Sequence, residues 1–336
     1  MCNYHYSDLN LGHQCPYPAL FKEFKEMPPE RLSDIYSDLF LPIDSDGICL
    51  FHSNLVEWKR ENQFMKRFLQ LANILNQLKQ KRYDFRGFNF IGELDVSSKK
   101  DKPIYSIKIH DLTFQEEAIF DGSKFIERVE LSEVKFIKGA TFLHVFFQDK
   151  CNIKGSSLGF IRLNNTVFVK NTVFRDCHFN GAHSSLIAVK FQESVKFIDV
   201  LFDGITSFED AHFNSSNIQN KHALFSNVQF EGRLTFKDAI FSCPVEFRKT
   251  VFNFNSEFQD TIFQASRSSS RYANADVQFH EIGIGEKGTL EFRGKDVEHK
   301  IFETDIEFSF VDEIKGMIHF VNANFQKISK ISRDRL

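Results

Sequence analysis

Tryptophan is nearly absent from this sequence: there is one, with seven tyrosines, against 41 phenylalanines. A generic aromatic core spreads its rings over all three types. So lopsided a choice implies one kind of position, used many times, that takes an apolar ring without a polar handle. Net charge is also lacking. With 42 basic and 45 acidic residues the formal balance is −3, which excludes a strongly basic nucleic-acid binder and an acidic coat or tail. No run of about 18 consecutive apolar residues occurs, so no membrane-spanning helix is expected. The opening residues, Met1 to Tyr6, lack the basic and apolar regions of a secretion signal. The six cysteines of the 336 residues, three of them at Cys2, Cys15 and Cys49, make a poor disulfide framework. A reduced, cytoplasmic protein is the expectation. Missing too are a nucleophile elbow, a P-loop, an H-E-x-x-H helix and a pair of catalytic carboxylates.

What is present divides into three regions: 1–83, 84–265 and 266–336. A hydrophobic content of 42% suffices for a sizeable core. The first region reads as an α-helical, Cys/His-bearing cap. Its strongest helical pattern runs from Asn54 to Arg82, with Ser53 as N-cap. Phe64, Phe68, Leu71, Leu75 and Leu78 form one apolar stripe at i, i+4, i+7 spacing. That stripe is expected to bury against the start of the second region.

The second region carries a repeat. Phe225, Phe230, Phe236, Phe241, Phe247, Phe252, Phe258 and Phe263 are separated by alternating steps of five and six. Upstream the beat recurs through Phe191, Phe197, Phe202, Phe208 and Phe213, and through Phe114, Phe120, Phe125, Leu131, Phe136, Phe142 and Phe147. Two residues before each ring sits a small or aliphatic residue, as at Val228, Leu234, Ala239, Val245, Thr250, Ser256 and Thr261. A helical period of about 3.6 cannot generate such steps. Residues i and i−2 share one side of an extended segment. Each unit is therefore a short strand with two inward side chains, followed by a turn built of Asp, Asn, Gly, Lys or Ser. Four units close one coil of about 22 residues, and coils stack about 4.8 Å apart. The beat blurs at Asn152–Leu163, His183–Val189 and Asn214–Ala223, where a coil is expected to bulge. An insertion around Val96–Tyr105 interrupts the first coils. Beyond Phe263, Gln264–Ala275 reads as a loop and Val277–Phe292 as a hairpin. Further coils or strands are then expected to close the end before a basic tail with Lys327, Lys330, Arg333 and Arg335.

Units such as Ala239-Ile-Phe241-Ser-Cys and Thr261-Ile-Phe263-Gln-Ala resemble the pentapeptide-repeat family in its phenylalanine-centred form, over about half the chain. The resemblance implies a mainly β fold, a right-handed quadrilateral β-helix. Here it would carry an α-helical N-terminal cap.

Candidate chemistry concentrates near the N-terminus. Cys2 and His5, and again Cys49 and His52, form C-x2-H pairs, with His13 and Cys15 between them. Thiolate and imidazole at this spacing suit a closed, structural zinc site. The expected ligands are Cys2, Cys15, Cys49 and His52, with His5 or His13 as substitutes. The competing reading is buried cysteines and surface histidines without metal. Cys151 and Cys177 occupy the small inward slot and read as packing residues. Gly283-Ile-Gly285-Glu-Lys-Gly288 matches G-x-G-x-x-G, but strand-like Thr289–Phe292 follows it, so a turn is the better reading.

With no catalytic constellation, the expected function is a non-enzymatic protein–protein interaction scaffold, possessing an unknown protein partner and open to homo-oligomerisation. Two alternatives stand beside it. Some pentapeptide-repeat proteins protect gyrase by mimicking DNA. That needs an acidic rod, whereas Asp84–Phe263 holds 23 acidic and 21 basic residues, so nucleic-acid-like recognition is not favoured. The other is a metal-dependent sensor acting through the cap.

Overall fold

A computed structural model describes residues 43–77, 81–94, 105–214, 221–264, 277–295, 302–310, 314–323 and 325–333. The chain is mainly β, with long parallel sheets consistent with a β-solenoid. One sheet has ten strands. It runs from Arg82–Asp84 through Glu117–Ile119, Ala140–Thr141 and later strands to Thr289–Arg293 and Met317–Val321. Every other described strand belongs to a second sheet. A ladder within it passes from Lys124 to Phe146, Val167, Lys190, His212, Ile240 and Ile262, each residue the parallel partner of the next.

The register gives the coil length. Lys124 to Phe146, Val129 to Cys151 and Ala223 to Val245 are each steps of 22. At Asn152–Leu163 the expected bulge does not occur. The step there is 21, from Cys151 to Thr172, and Ile153, Leu158 and Leu163 fill ring slots as buried aliphatics. At Asn214–Ala223 the step from Val195 to Ala223 lengthens to 28, yet the strands re-enter in phase. The added residues lie between the strands His212–Phe213 and Ala223–Phe230, and these strands keep their inward face, since a one-residue slip would turn every side chain to the other side.

All eight rings from Phe225 to Phe263 are buried, at most 1% exposed, and the preceding small residues are buried too. Along the ladder the rings lie face to face. Phe197, Phe225, Phe247 and Phe279 follow at 5.0, 4.7 and 4.8 Å, with planes 9°, 8° and 6° apart. Within the core they meet edge to face, as Phe225 and Phe236 do at 88°. The ring quadrupole favours that edge-on contact, and strand spacing imposes the face-on one. A tyrosine in these slots would bury its hydroxyl. Among the described residues, the tyrosine that is fully buried, Tyr83, donates to Asn76 Oδ1 at 2.6 Å.

Two turn columns explain the polar residues between units. Asp111, Glu133, Gly155, Asp176, Asp199 and Asn227 repeat a positive φ of 52–59° coil after coil. Asp and Asn enter this left-handed region more readily than other non-glycine residues. A further turn is held by glycine for space. A Cβ on Gly159, Gly181, Gly204 or Gly232 would collide with backbone atoms of the coil before it.

The expected single helix from Asn54 to Arg82 is two helices, α1 (Val56–Glu61) and α2 (Phe64–Gln77). Gln63, at φ 53°, breaks it. Ser53 Oγ accepts Leu55 N–H, but Leu55 is the N-cap. The break lets the apolar stripe reach its target: Phe68 packs edge-on against Phe85 and Phe90, and Phe64 against Phe90. Leu78 lies outside the described residues. The expected hairpin is also corrected. Val277–Ile284 and Thr289–Arg293 do not pair with each other; both join the parallel ladders, to Val245–Arg248 and Ser256–Gln259. The segment read as a basic tail includes Phe325–Arg333, a strand parallel to Phe302–Phe310.

Candidate functional site

Chemistry-bearing side chains gather where the loop before α1, α1 itself and the first coil meet. The loop is shaped locally. Asp44 Oδ1 accepts the backbone N–H of Asp46 and Ile48, both at 2.9 Å, and Gly47 supplies a φ of 74°. Cys49 O then accepts from His52 N at 3.0 Å and Ser53 N at 2.9 Å. One tight turn thus sets the C-x2-H side chains on the same side.

Cys49 Sγ and His52 Nδ1 lie 3.1 Å apart, and both residues are buried. His52 Nε2 sits 3.1 Å from Arg86 O. A carbonyl only accepts, so Nε2 is the protonated nitrogen and Nδ1 turns its lone pair toward the sulfur. Asn89 ties this turn to the first coil, donating from Nδ2 to His52 O at 2.8 Å and to Asn54 Oδ1 at 3.0 Å.

Lys59 was not legible as part of this site. It is fully buried. Its Nζ donates to Phe51 O and Ser53 O, each at 3.2 Å, and to Asn89 O. It also lies 4.3 Å from the centroid of the Phe64 ring. Burial drives its pKa well below the lysine range, while Cys49 and Asp44 pull it back upward. Three backbone acceptors and a ring face suit an ammonium, and their burial is what resists the charge.

Arg60, next in sequence, points elsewhere. Its guanidinium lies 3.7 Å from the centroid of Tyr105 and pairs with Glu57 and Glu127. Glu127 also accepts the N–H of Gly92, and burial pushes its carboxyl upward. Beside this pair a cavity of about 270 Å³ opens between Phe64, Met65, Ile91 and Tyr105.

Of the four expected zinc ligands, Cys49 and His52 are brought together. Cys2 and Cys15, with the substitutes His5 and His13, lie outside the described residues. Among the described residues no group of three His, Cys, Asp or Glu side chains is placed to hold a metal. Cys151 and Cys177 sit in inward slots as expected, and Cys243 is also buried. Burial raises all three thiols, Cys177 to about 11 and Cys243 to about 12, so none is a ready nucleophile. Gly283 lies within the strand Val277–Ile284, paired with Val251, and Gly285 and Gly288 flank the turn that leads to Thr289–Arg293. A Cβ at Gly288 would lie 2.5 Å from Phe252 O. Gly288 answers to neighbouring backbone and Gly285 to the Asn253 side chain.

No protein-family model matches the chain, and no curated protein matches it. Among the described residues no helix is long and apolar enough to cross a membrane.

Proposed function

We propose that this chain is a non-enzymatic protein–protein interaction scaffold built on a rigid repeat rod. The observation that carries the reading is the continuity of its core. One apolar cluster extends from Cys49 to Phe310, and each strand's inward slots feed it. Outward positions are left as an extended surface whose composition the core does not dictate. Stacked repeats offer such surfaces to partners. The polar groups that do converge, around Lys59 and His52, are buried among backbone acceptors.

The same proposal covers the finer architecture. We read the rod as a right-handed pentapeptide-repeat coil, four-sided in section, closed at its N-terminal end by α1 and α2, and working in the cytoplasm. The 22-residue register, equal to four alternating units, supports the four sides.

The test is capture from native cells by the full-length chain. Two charge-reversed variants run beside it, Lys124→Glu with Lys190→Glu and Glu257→Lys with Glu291→Lys, each altering one outward ladder. A defined partner lost from one variant and kept by the other, with both retaining the wild-type circular dichroism, supports the scaffold. Capture of gyrase or another DNA-binding enzyme replaces it with the DNA-mimic reading. No saturable partner in any arm contradicts it.

A further inference from the structure

We infer that the cavity between the helix break and the first coil binds a small amphipathic amine, one ring or a short alkyl body carrying a single ammonium. This holds whether or not the rod is a scaffold.

The cavity exists because the helical segment breaks. α1 ends at Glu61, and Gln63 turns the chain at a φ of 53°. A glutamine keeps this left-handed conformation only where its surroundings hold it, and such residues gather at ligand sites. Here Gln63 N donates to Arg60 O at 2.9 Å, and Gln63 O accepts from Arg67 N at 3.1 Å. The turn sends the next two side chains, Phe64 and Met65, inward, where both are buried. With Ile91 of the first coil they give the cavity apolar walls. Tyr105, stacked on the Arg60 guanidinium, forms a further wall. The volume is about 270 Å³, just below the range of about 300–1,000 Å³ that holds drug-sized ligands. The guest is therefore small.

The charge around the cavity selects its sign. Arg60 carries one positive charge against the three negative charges of Glu57, Glu93 and Glu127, a balance of −2. Arg60 is no receptor for an anion. Its terminal nitrogens already hold Glu57 and Glu127, its Nε is buried, and its face lies on Tyr105. Lys59 approaches Phe64, but its Nζ is spent on carbonyls of the loop and the coil. What the cavity offers a guest is Glu93 and Gln63, both exposed and both lining it. Among the described residues neither side chain meets a hydrogen-bond or ion-pair partner. A carboxylate only accepts, and the carboxamide presents a carbonyl oxygen. Together they suit the N–H donors of an ammonium whose body lies against the apolar walls.

The test uses the full chain and phenethylamine as the probe, beside its neutral and anionic counterparts, 2-phenylethanol and 3-phenylpropionate. Calorimetry and the thermal midpoint follow binding at neutral pH. Phenethylamine is expected to bind saturably and raise the midpoint. The alcohol is expected to bind at least about fivefold more weakly, and the carboxylate more weakly still. Glu93→Gln, a change at an exposed position, is expected to bring the amine down to the alcohol's affinity and leave the alcohol unaffected. Gln63→Gly relieves the φ and removes the carboxamide, so it is expected to weaken the amine without lowering the midpoint of the free chain. Absence of saturable amine binding overturns the site, and the cavity is then only a gap in packing. Equal or tighter binding of the alcohol or the carboxylate overturns it too, as does an amine affinity unchanged by Glu93→Gln.

Discussion

Phe213 and Phe241 lie face to face, centroids 4.2 Å apart and planes 6° from parallel, although the coil between them is 28 residues long rather than 22. The ring slot survives an insertion because the extra residues lie between the strands His212–Phe213 and Ala223–Phe230 and leave the pairing of both in register. The stack is therefore a property of the slots. Phe241, fully buried between Phe213 and Phe263, is expected to cost about 3–5 kcal/mol when changed to alanine. Phe241→Tyr is expected to cost about 1–3 kcal/mol, because it buries a hydroxyl without a partner. Denaturant midpoints for the two variants check both values. A tyrosine variant as stable as wild type would remove the explanation for the scarcity of tyrosine.

Glycine is required at Gly204 by the approach of another coil. A methyl group there meets the backbone at Gly181 and Ala182, which cannot rotate away as a side chain would. Gly204→Ala is expected to lower the thermal midpoint clearly. Gly155→Ala has open space, with no neighbour nearer than 3.5 Å, and its penalty arises from a φ of 59° alone, about 1 kcal/mol. Equal losses at both sites would argue against close packing at the Gly204 turn.

Lys59 gives a pH dependence with a definite sign. In the folded chain its pKa is held well below the usual value of 10.5, and the unfolded chain binds the proton at the usual value. Between the two, the unfolded state holds more protons. Stability therefore rises with pH across this window and levels off above about 10. Lys59→Met is expected to flatten that slope. It also strands buried backbone acceptors on Phe51, Ser53 and Asn89, each at a cost of about 1–3 kcal/mol. Chemical denaturation from neutral pH upward measures both effects.

Glu193 behaves in the opposite range. Burial raises its carboxyl, but Lys221 at 2.9 Å and Lys170 at 3.3 Å outweigh burial and hold its pKa below the ordinary value. Its stabilising effect is present above about pH 4.3, the unfolded value, and is lost as pH falls through the lower folded value. Glu193→Gln is expected to remove this part of the acid dependence in a urea titration.

Thiol reactivity separates packing cysteines from the rest. Cys151, Cys177 and Cys243 are buried with raised pKa values. Alkylation of the native chain, mapped by mass spectrometry, is expected to leave all three unmodified until denaturant is added.

The core was legible because its signal is local. A ring and the small residue two places before it declare their shared side within a single unit, and repetition fixes the coil length. The aliphatic stand-ins Ile153, Leu158 and Leu163 hid the beat, since periodicity of ring type is narrower than periodicity of apolar volume. Val277–Phe292 read as a hairpin because its glycines mark a turn, and nothing local says whether the strands beside a turn pair with each other or with earlier coils. Lys59 was invisible for a related reason. The acceptors that make its burial tolerable, on Phe51, Ser53 and Asn89, come from both sides of it in sequence. Arg60 and Glu127 likewise meet across 67 residues. Cys49 and His52, three apart, were legible as a pair; the carbonyl of Arg86 that sets their chemistry was not.

The central claim is an in-register stack of coils, and a distance along the ladder tests it most directly. Lys124 and Ile262 both face outward on one ladder and are joined by six successive parallel pairings. Spin labels at these positions are expected about 29 Å apart, and labels at Lys124 and Ile240 about 24 Å apart, one coil less at about 4.8 Å per coil. Distances that lengthen by one coil's rise between the two pairs match the account. Distances that do not scale with the number of coils contradict it.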